Sequence, residues 1–281
     1  MEKAELRILS LGAGVQSSTL AIMAARGDIE PIDAAIFADT QAEPKEVYDY
    51  FLTLKEIIAG SQYPYPVFTC SKGSLEADTG RVVQNRDGSR TYTKWDVPFF
   101  SLCEETGKIG LSRRQCTTDY KINVIHIKIK ELLGINKFNK REGLLVDQLI
   151  GISKDEAARA KPSRISSIRN IFPLLDLNYN REDCLSYLLR VGLPTPPKSA
   201  CIFCAFRSDK GWLDIKKNQK EWERVVLFEK KLQKALSAHD TFNGKPFLHR
   251  SCIPIDQVAF KHTDTKAANG FINECEGMCG V

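Results

Sequence analysis

Two groups of residues in this 281-residue chain carry chemistry by type and spacing: a glycine- and hydroxyl-rich run, SLGAGVQSST at residues 10–19, and a set of nine cysteines. Glycines let backbone N–H groups approach phosphate oxygens closely. A helix that begins just after them adds its unpaired first-turn N–H groups and its positive dipole end. Ser10, Gly12, Gly14, Gln16, Ser17 and Ser18 are therefore the candidate phosphate-binding residues, with the Thr19 hydroxyl beside them. The run has no Walker lysine, and residue 17 is Ser where the third glycine of G-x-G-x-x-G would fall.

The cysteines are unevenly placed. Cys70, Cys103 and Cys184 stand singly, Cys116 lies in QCTTDYK, Cys201 and Cys204 form a C-x-x-C, and Cys275 and Cys279 fall in the last seven residues. Thiolates on a tight C-x-x-C turn can share one metal or two corners of a cluster, and a third ligand far away in sequence is normal once the chain folds. Cys116, Cys201 and Cys204 are the candidate ligands, for a [4Fe-4S] cluster or for zinc, with reduced structural thiols as the plain reading. A fourth ligand would come from Cys252, Cys275 or Cys279, or the position would stay open. Cys275 and Cys279 near the chain end read as reactive thiols or as part of a loose end.

These groups need elements to position them. LRILSL at residues 6–11 reads as a strand, and TLAIMAARG after the glycine run has helical apolar spacing and stops at Gly27. A second strand, residues 33–38, ends at Asp39-Thr40, which places both beside the same crevice. A helix from Pro44 puts Val47, Phe51, Leu54 and Ile58 on one face. Further strands are expected at 65–69 and 144–152, and helices after Thr118, after Asn180 and around 222–236. Asn180 and Asp183 have the spacing of a capping box. Residues 71–115 break the alternation, with a hairpin signal in NRDGSR and an aromatic run in WDVPFF, and read as an inserted flap.

The expected fold is α/β: a doubly wound, mainly parallel, Rossmann-like sheet over residues 1–200, with the flap at about 71–115 and a cysteine-bearing C-terminal extension over 201–281. Composition is that of a globular chain, with 43% apolar and 27% charged residues. The excess of 40 Lys and Arg over 35 Asp and Glu suits a phosphorylated ligand or a nucleic acid and demands neither. No uncharged run is apolar enough for a membrane span, and MEKAELRI has no signal-peptide pattern, so a cytoplasmic protein is expected. Arg113, Arg114, Lys121, Lys128 and Lys130 would either line a polyanion path or form a solvated face.

Residues 10–18, taken with ADTQAEPKEVY at 38–48, resemble the phosphoadenylylsulfate (PAPS) reductase branch of the PP-loop, or adenine nucleotide alpha hydrolase-like, superfamily. Gln16 stands where enzymes that cleave ATP to AMP carry aspartate; PAPS reductases are known with glutamine there. Asp39, Thr40, Pro44, Glu46 and Tyr48 match the family's second motif, with Gln41 in place of its glycine. GISKDEAAR supplies Gly151, Lys154 and Arg159, while FPLLDLNYNREDCLSYL echoes a later family helix and NECEGMCGV its cysteine-bearing tail. The resemblance implies the adenine nucleotide alpha hydrolase fold, with nucleotide-binding roles for Gly151 and Arg159.

The activity it implies is thiol-dependent reduction of PAPS or APS with Cys275 as nucleophile and a thiol reductant protein as partner. ATP-dependent adenylation and sulfur transfer to tRNA or DNA is the alternative; it would use Mg2+, a sulfur donor and a nucleic-acid acceptor. A non-catalytic nucleotide or redox sensor is a third class.

Overall fold

A computed structural model describes residues 3–237 and 244–261, apart from 86, 90, 104, 137 and 140. In chain order the first half contains β1 (Leu6–Leu11), α1 (Val15–Arg26), β2 (Ala34–Ala38), α2 (Lys45–Ala59), β3 (Val67–Cys70), α3 (Leu75–Asp78), the short strands β4 (Val82–Gln84), β5 (Thr91–Thr93), β6 (Phe100–Leu102) and β7 (Ile109–Leu111), and α4 (Asn123–Leu132). There follow β8 (Val146–Ile150), β9 (Ile168–Ile171), α5 (Pro173–Asp176), α6 (Arg181–Arg190), α7 (Asp209–Lys216), α8 (Gln219–Ser237) and β10 (Lys245–Phe247).

The central sheet has the order β3-β2-β1-β8-β9, and every pairing in it is parallel. Alternate strand residues serve opposite faces. Leu9, Leu11, Ala35, Phe37 and Leu149 pack with α1, α2 and α6 in one cluster. Ile8, Ala34, Ile36 and Val146 pack with Val124, Ile125 and Ile129 of α4 in another. Helices therefore cover both faces, as a parallel sheet of near-continuous apolar strands requires. The chain moves outward from β1 in one direction through β2 and β3, then returns to β1's other edge as β8. That reversal opens a crevice at the carboxyl ends of β1 and β8.

The expected hairpin forms, with β4 antiparallel to β5 around NRDGSR. The remainder of residues 71–115 is tied to the C-terminal part of the chain. β6 pairs β7 on one side and β10 on the other, and Leu75, Val97 and Phe99 share a core with Ile202, Phe203, Trp212, Val225, Phe228 and Leu248. Phe99 is fully buried and edge-on to Trp95, so the aromatic run contributes core packing.

The helix expected from Thr118 starts as a π-helical turn over Thr117–Ile122 before α4 begins. Lys121 in that turn is buried, so it neither lines a polyanion path nor forms part of a solvated face. Among the described residues no helix is long and apolar enough to cross a membrane.

Candidate active site

β1 leads into Gly12, Ala13 and Gly14, and α1 begins directly after them. Ala13 is left-handed at φ 56°, and Gly14 is the extended N-cap, with no side-chain cap on the helix. The first-turn N–H groups of Val15, Gln16 and Ser17 consequently have no acceptor inside the helix, which is the arrangement an anion completes. The Ser17 hydroxyl closes the loop from within, accepting from Gly12 N–H at 3.1 Å and donating to the Gly14 carbonyl at 3.3 Å. Ser10 accepts from Gln148 Nε2 at 2.8 Å and so joins β1 to β8. Ser18 is fully buried, and the Thr19 hydroxyl bonds back to the Val15 carbonyl at 2.9 Å.

Gly151, just past β8, abuts this loop. Gln16 spans the junction: its amide nitrogen donates to Ser153 Oγ at 3.4 Å and Glu156 Oε2 at 3.3 Å, and its oxygen accepts from Arg181 Nη1 at 3.3 Å. Arg159 pairs with Glu156 at 2.5 Å. Two guanidiniums and the Glu156 carboxylate therefore stand beside the loop, and Asp155 accepts from the Arg181 N–H at 2.8 Å. Arg181 escaped the sequence reading; its only signal is its place directly after the helix cap Asn180.

At the end of β2, Asp39 accepts at Oδ1 from the Gln41 N–H and the Tyr48 hydroxyl, both at 2.7 Å. Burial and this carboxylate together push the Tyr48 phenol far above its usual range, so it remains a hydrogen-bond donor. Thr40 faces the other way. Its hydroxyl lies 3.3 Å from Cys201 Sγ, and two residues on the Ala42 carbonyl accepts from Ile202 N–H at 2.8 Å.

Cys116, Cys201 and Cys204 line one small pocket together with Thr40, Arg114 and Lys121. The buried Lys121 ammonium is 3.4 Å from Glu43 Oε1, which lies 4.0 Å from Cys201 Sγ. Burial pushes the Cys201 thiol well above its ordinary pKa, and the charges of Glu43 and Cys116 push the same way; Lys121 and Thr40 oppose them. Behind the turn, buried Arg207 donates from Nη2 to the carbonyls of Ala200 at 2.6 Å and Cys201 at 2.9 Å.

Three thiols are the soft donor set that zinc or an iron–sulfur cluster takes, and the chain brings them into one pocket. Among the described residues, however, no three His, Cys, Asp or Glu side chains are gathered closely enough to hold a metal ion. Cys275 and Cys279 lie outside the described residues. No protein-family model matches the chain, and no curated protein matches it.

Proposed function

We propose that this chain is an enzyme of the adenine nucleotide alpha hydrolase type that performs thiol chemistry on a sulfonucleotide of the PAPS or APS kind. The observation that carries the reading is the 3.3 Å approach of Thr40 to Cys201, which sets the thiol pocket against the loop at the end of β2, next to the crevice. The Gly12–Ser18 backbone would bind the nucleotide phosphates. Arg159 and Arg181 would supply positive charge, while Asp39, held by Tyr48, would face the same crevice.

In the reaction a cysteine thiolate, assigned to Cys275, attacks the sulfonate sulfur. The bond from sulfur to the phosphate oxygen breaks, and the nucleotide leaves with that electron pair. A second thiol then attacks the S-sulfonate, releasing sulfite and leaving a disulfide. The two thiols supply the two electrons, and an external thiol reductant restores them. If Cys116, Cys201 and Cys204 held an iron–sulfur cluster, their three thiolates would leave one iron position open to carry sulfide.

Arg114 at the thiol pocket favours one further reading, ATP-dependent sulfur transfer to a nucleic acid. One experiment separates the two. Anaerobically purified protein is assayed for iron, sulfide and absorbance, then given PAPS, APS or ATP with tRNA. Sulfite release from a sulfonucleotide supports reduction, AMP formation with a thiolated acceptor supports transfer, and failure of every adenine nucleotide to bind at millimolar concentration refutes both.

A further inference from the structure

The C-terminal part of the chain holds a polar cluster that the sulfur chemistry does not use. After β10 the backbone turns sharply: the Cys252 N–H donates to the His249 carbonyl at 3.0 Å, and Cys252 itself is left-handed at φ 51°. Within this turn the His249 ring is buried, while Ser251 is on the surface.

The two ring nitrogens have different partners. Nδ1 lies 2.7 Å from Ser251 Oγ and also accepts the Ser251 backbone N–H at 3.2 Å. Nε2 lies 3.3 Å from Asp209 Oδ1. A nitrogen that accepts an amide N–H carries no proton of its own. Neutral His249 therefore has its proton on Nε2, aimed at Asp209, and its single Nδ1 lone pair is shared between the Ser251 hydroxyl at 2.7 Å and the longer Ser251 N–H contact at 3.2 Å. Burial keeps the ring in that neutral form by lowering its basicity, although Asp209 opposes this. Asp209, the first residue of α7, is fixed by Arg250 Nη2 at 2.9 Å and by the Lys261 N–H at 3.0 Å. Phe260 closes off the ring edge-on, 5.7 Å between centroids.

A serine hydroxyl, an acceptor nitrogen and a carboxylate on the far side of the same ring make up the set that activates a nucleophile. We propose that Ser251, His249 and Asp209 form a second reactive site, at which Ser251 accepts the acyl group of an activated ester. Ser251 Oγ bonds to the acyl carbon and passes its proton to Nδ1. The ester's carbon–oxygen bond breaks, and the departing alkoxide takes that proton. Asp209 stabilises the imidazolium that exists between the two transfers. Water then passes a proton to Nδ1 and bonds to the acyl carbon; the bond from that carbon to Ser251 Oγ breaks, Oγ takes the proton back from Nδ1, and the acid is released. Because Ser251 is exposed, the site suits esters approached from solvent, and it is independent of the nucleotide crevice.

The test uses the full chain with its thiols blocked by iodoacetamide, treated with a fluorophosphonate or with p-nitrophenyl acetate and mapped by mass spectrometry. Ser251 is expected to label at least about 100-fold faster than Ser166, an exposed serine with no histidine partner among the described residues. His249→Gln should abolish that advantage, and Asp209→Asn should reduce it. Equal labelling of Ser251 and Ser166 overturns the proposal, whichever variants fold. A His249→Gln protein that melts like the parent and labels Ser251 at the parent rate overturns it as well.

Discussion

Gly151 and Ser17 approach each other more closely than a side chain would permit: a Cβ on residue 151 would stand 2.8 Å from Ser17 N and 3.0 Å from the Gln16 carbonyl carbon. Both neighbours are backbone, so neither can swing aside. Gly151→Ala is expected to force the start of α1 away from β8, destabilising the fold by about 1–3 kcal/mol. It should also weaken adenine-nucleotide binding by displacing the first-turn N–H groups. Calorimetric titration with urea unfolding checks both. Parental affinity in the variant would show that the loop does not hold the phosphate.

Arg207 depends on a glycine in a similar way. A Cβ at Gly211 would meet Arg207 Cγ at 2.7 Å, so the absent side chain gives the guanidinium its path to the C-x-x-C carbonyls. Arg207→Lys keeps the charge and loses the planar fork, and is expected to cost about 1.5–3 kcal/mol. Urea unfolding of the variant and the parent measures that loss. Unchanged stability would mean that the turn holds its shape unaided.

What could be read from the sequence was the chemistry between near neighbours. The Asn180–Asp183 capping box forms as its spacing implies, with Asn180 Oδ1 accepting from Asp183 N–H at 2.9 Å and Asp183 Oδ2 accepting from Asn180 N–H at 2.8 Å. The strands and helices around residues 6–59 were legible for the same reason. α7 went unread because Gly211 interrupts a short helix, although Ser208 caps it by accepting from Gly211 N–H at 3.2 Å. The pairing of β10 with β6 joins segments too distant in sequence for any local pattern to register. Lys121 looked like one more solvated or polyanion-facing charge; it is buried against Glu43, which lies 78 residues away in the loop between β2 and α2.

Glu229 gives the fold an unusual pH dependence. Burial raises its pKa, although its oxygens accept from Leu248 N–H at 2.8 Å and Ile255 N–H at 2.7 Å. The folded state therefore holds the proton more tightly than the unfolded state does. This contribution to stability is complete below the ordinary value of 4.5 and is lost as pH rises through the folded pKa. Urea unfolding of wild type and Glu229→Gln between pH 4 and pH 7 should show a difference that narrows or reverses as pH rises. A wild-type advantage that grows with pH would contradict this sign.

At the thiol pocket the charges of Glu43 and Lys121 act on Cys201 in opposite directions, so two substitutions should move its reactivity apart. Glu43→Gln removes a negative charge and lowers the Cys201 pKa, which speeds its alkylation by iodoacetamide at fixed pH. Lys121→Met removes the positive charge, raises the pKa and slows the reaction. Each change removes one charge of a buried pair, at a cost of about 3–5 kcal/mol, so rates must be compared under conditions where both variants remain folded. Half-buried Cys103 is an internal reference: the Thr106 hydroxyl and N–H hold its pKa down, and it should alkylate before Cys201 in every variant. Rates that shift in the same direction in both variants would show that local unfolding, not charge, governs access to Cys201. Opposite shifts would establish the buried pair as the control on the thiol that faces Thr40.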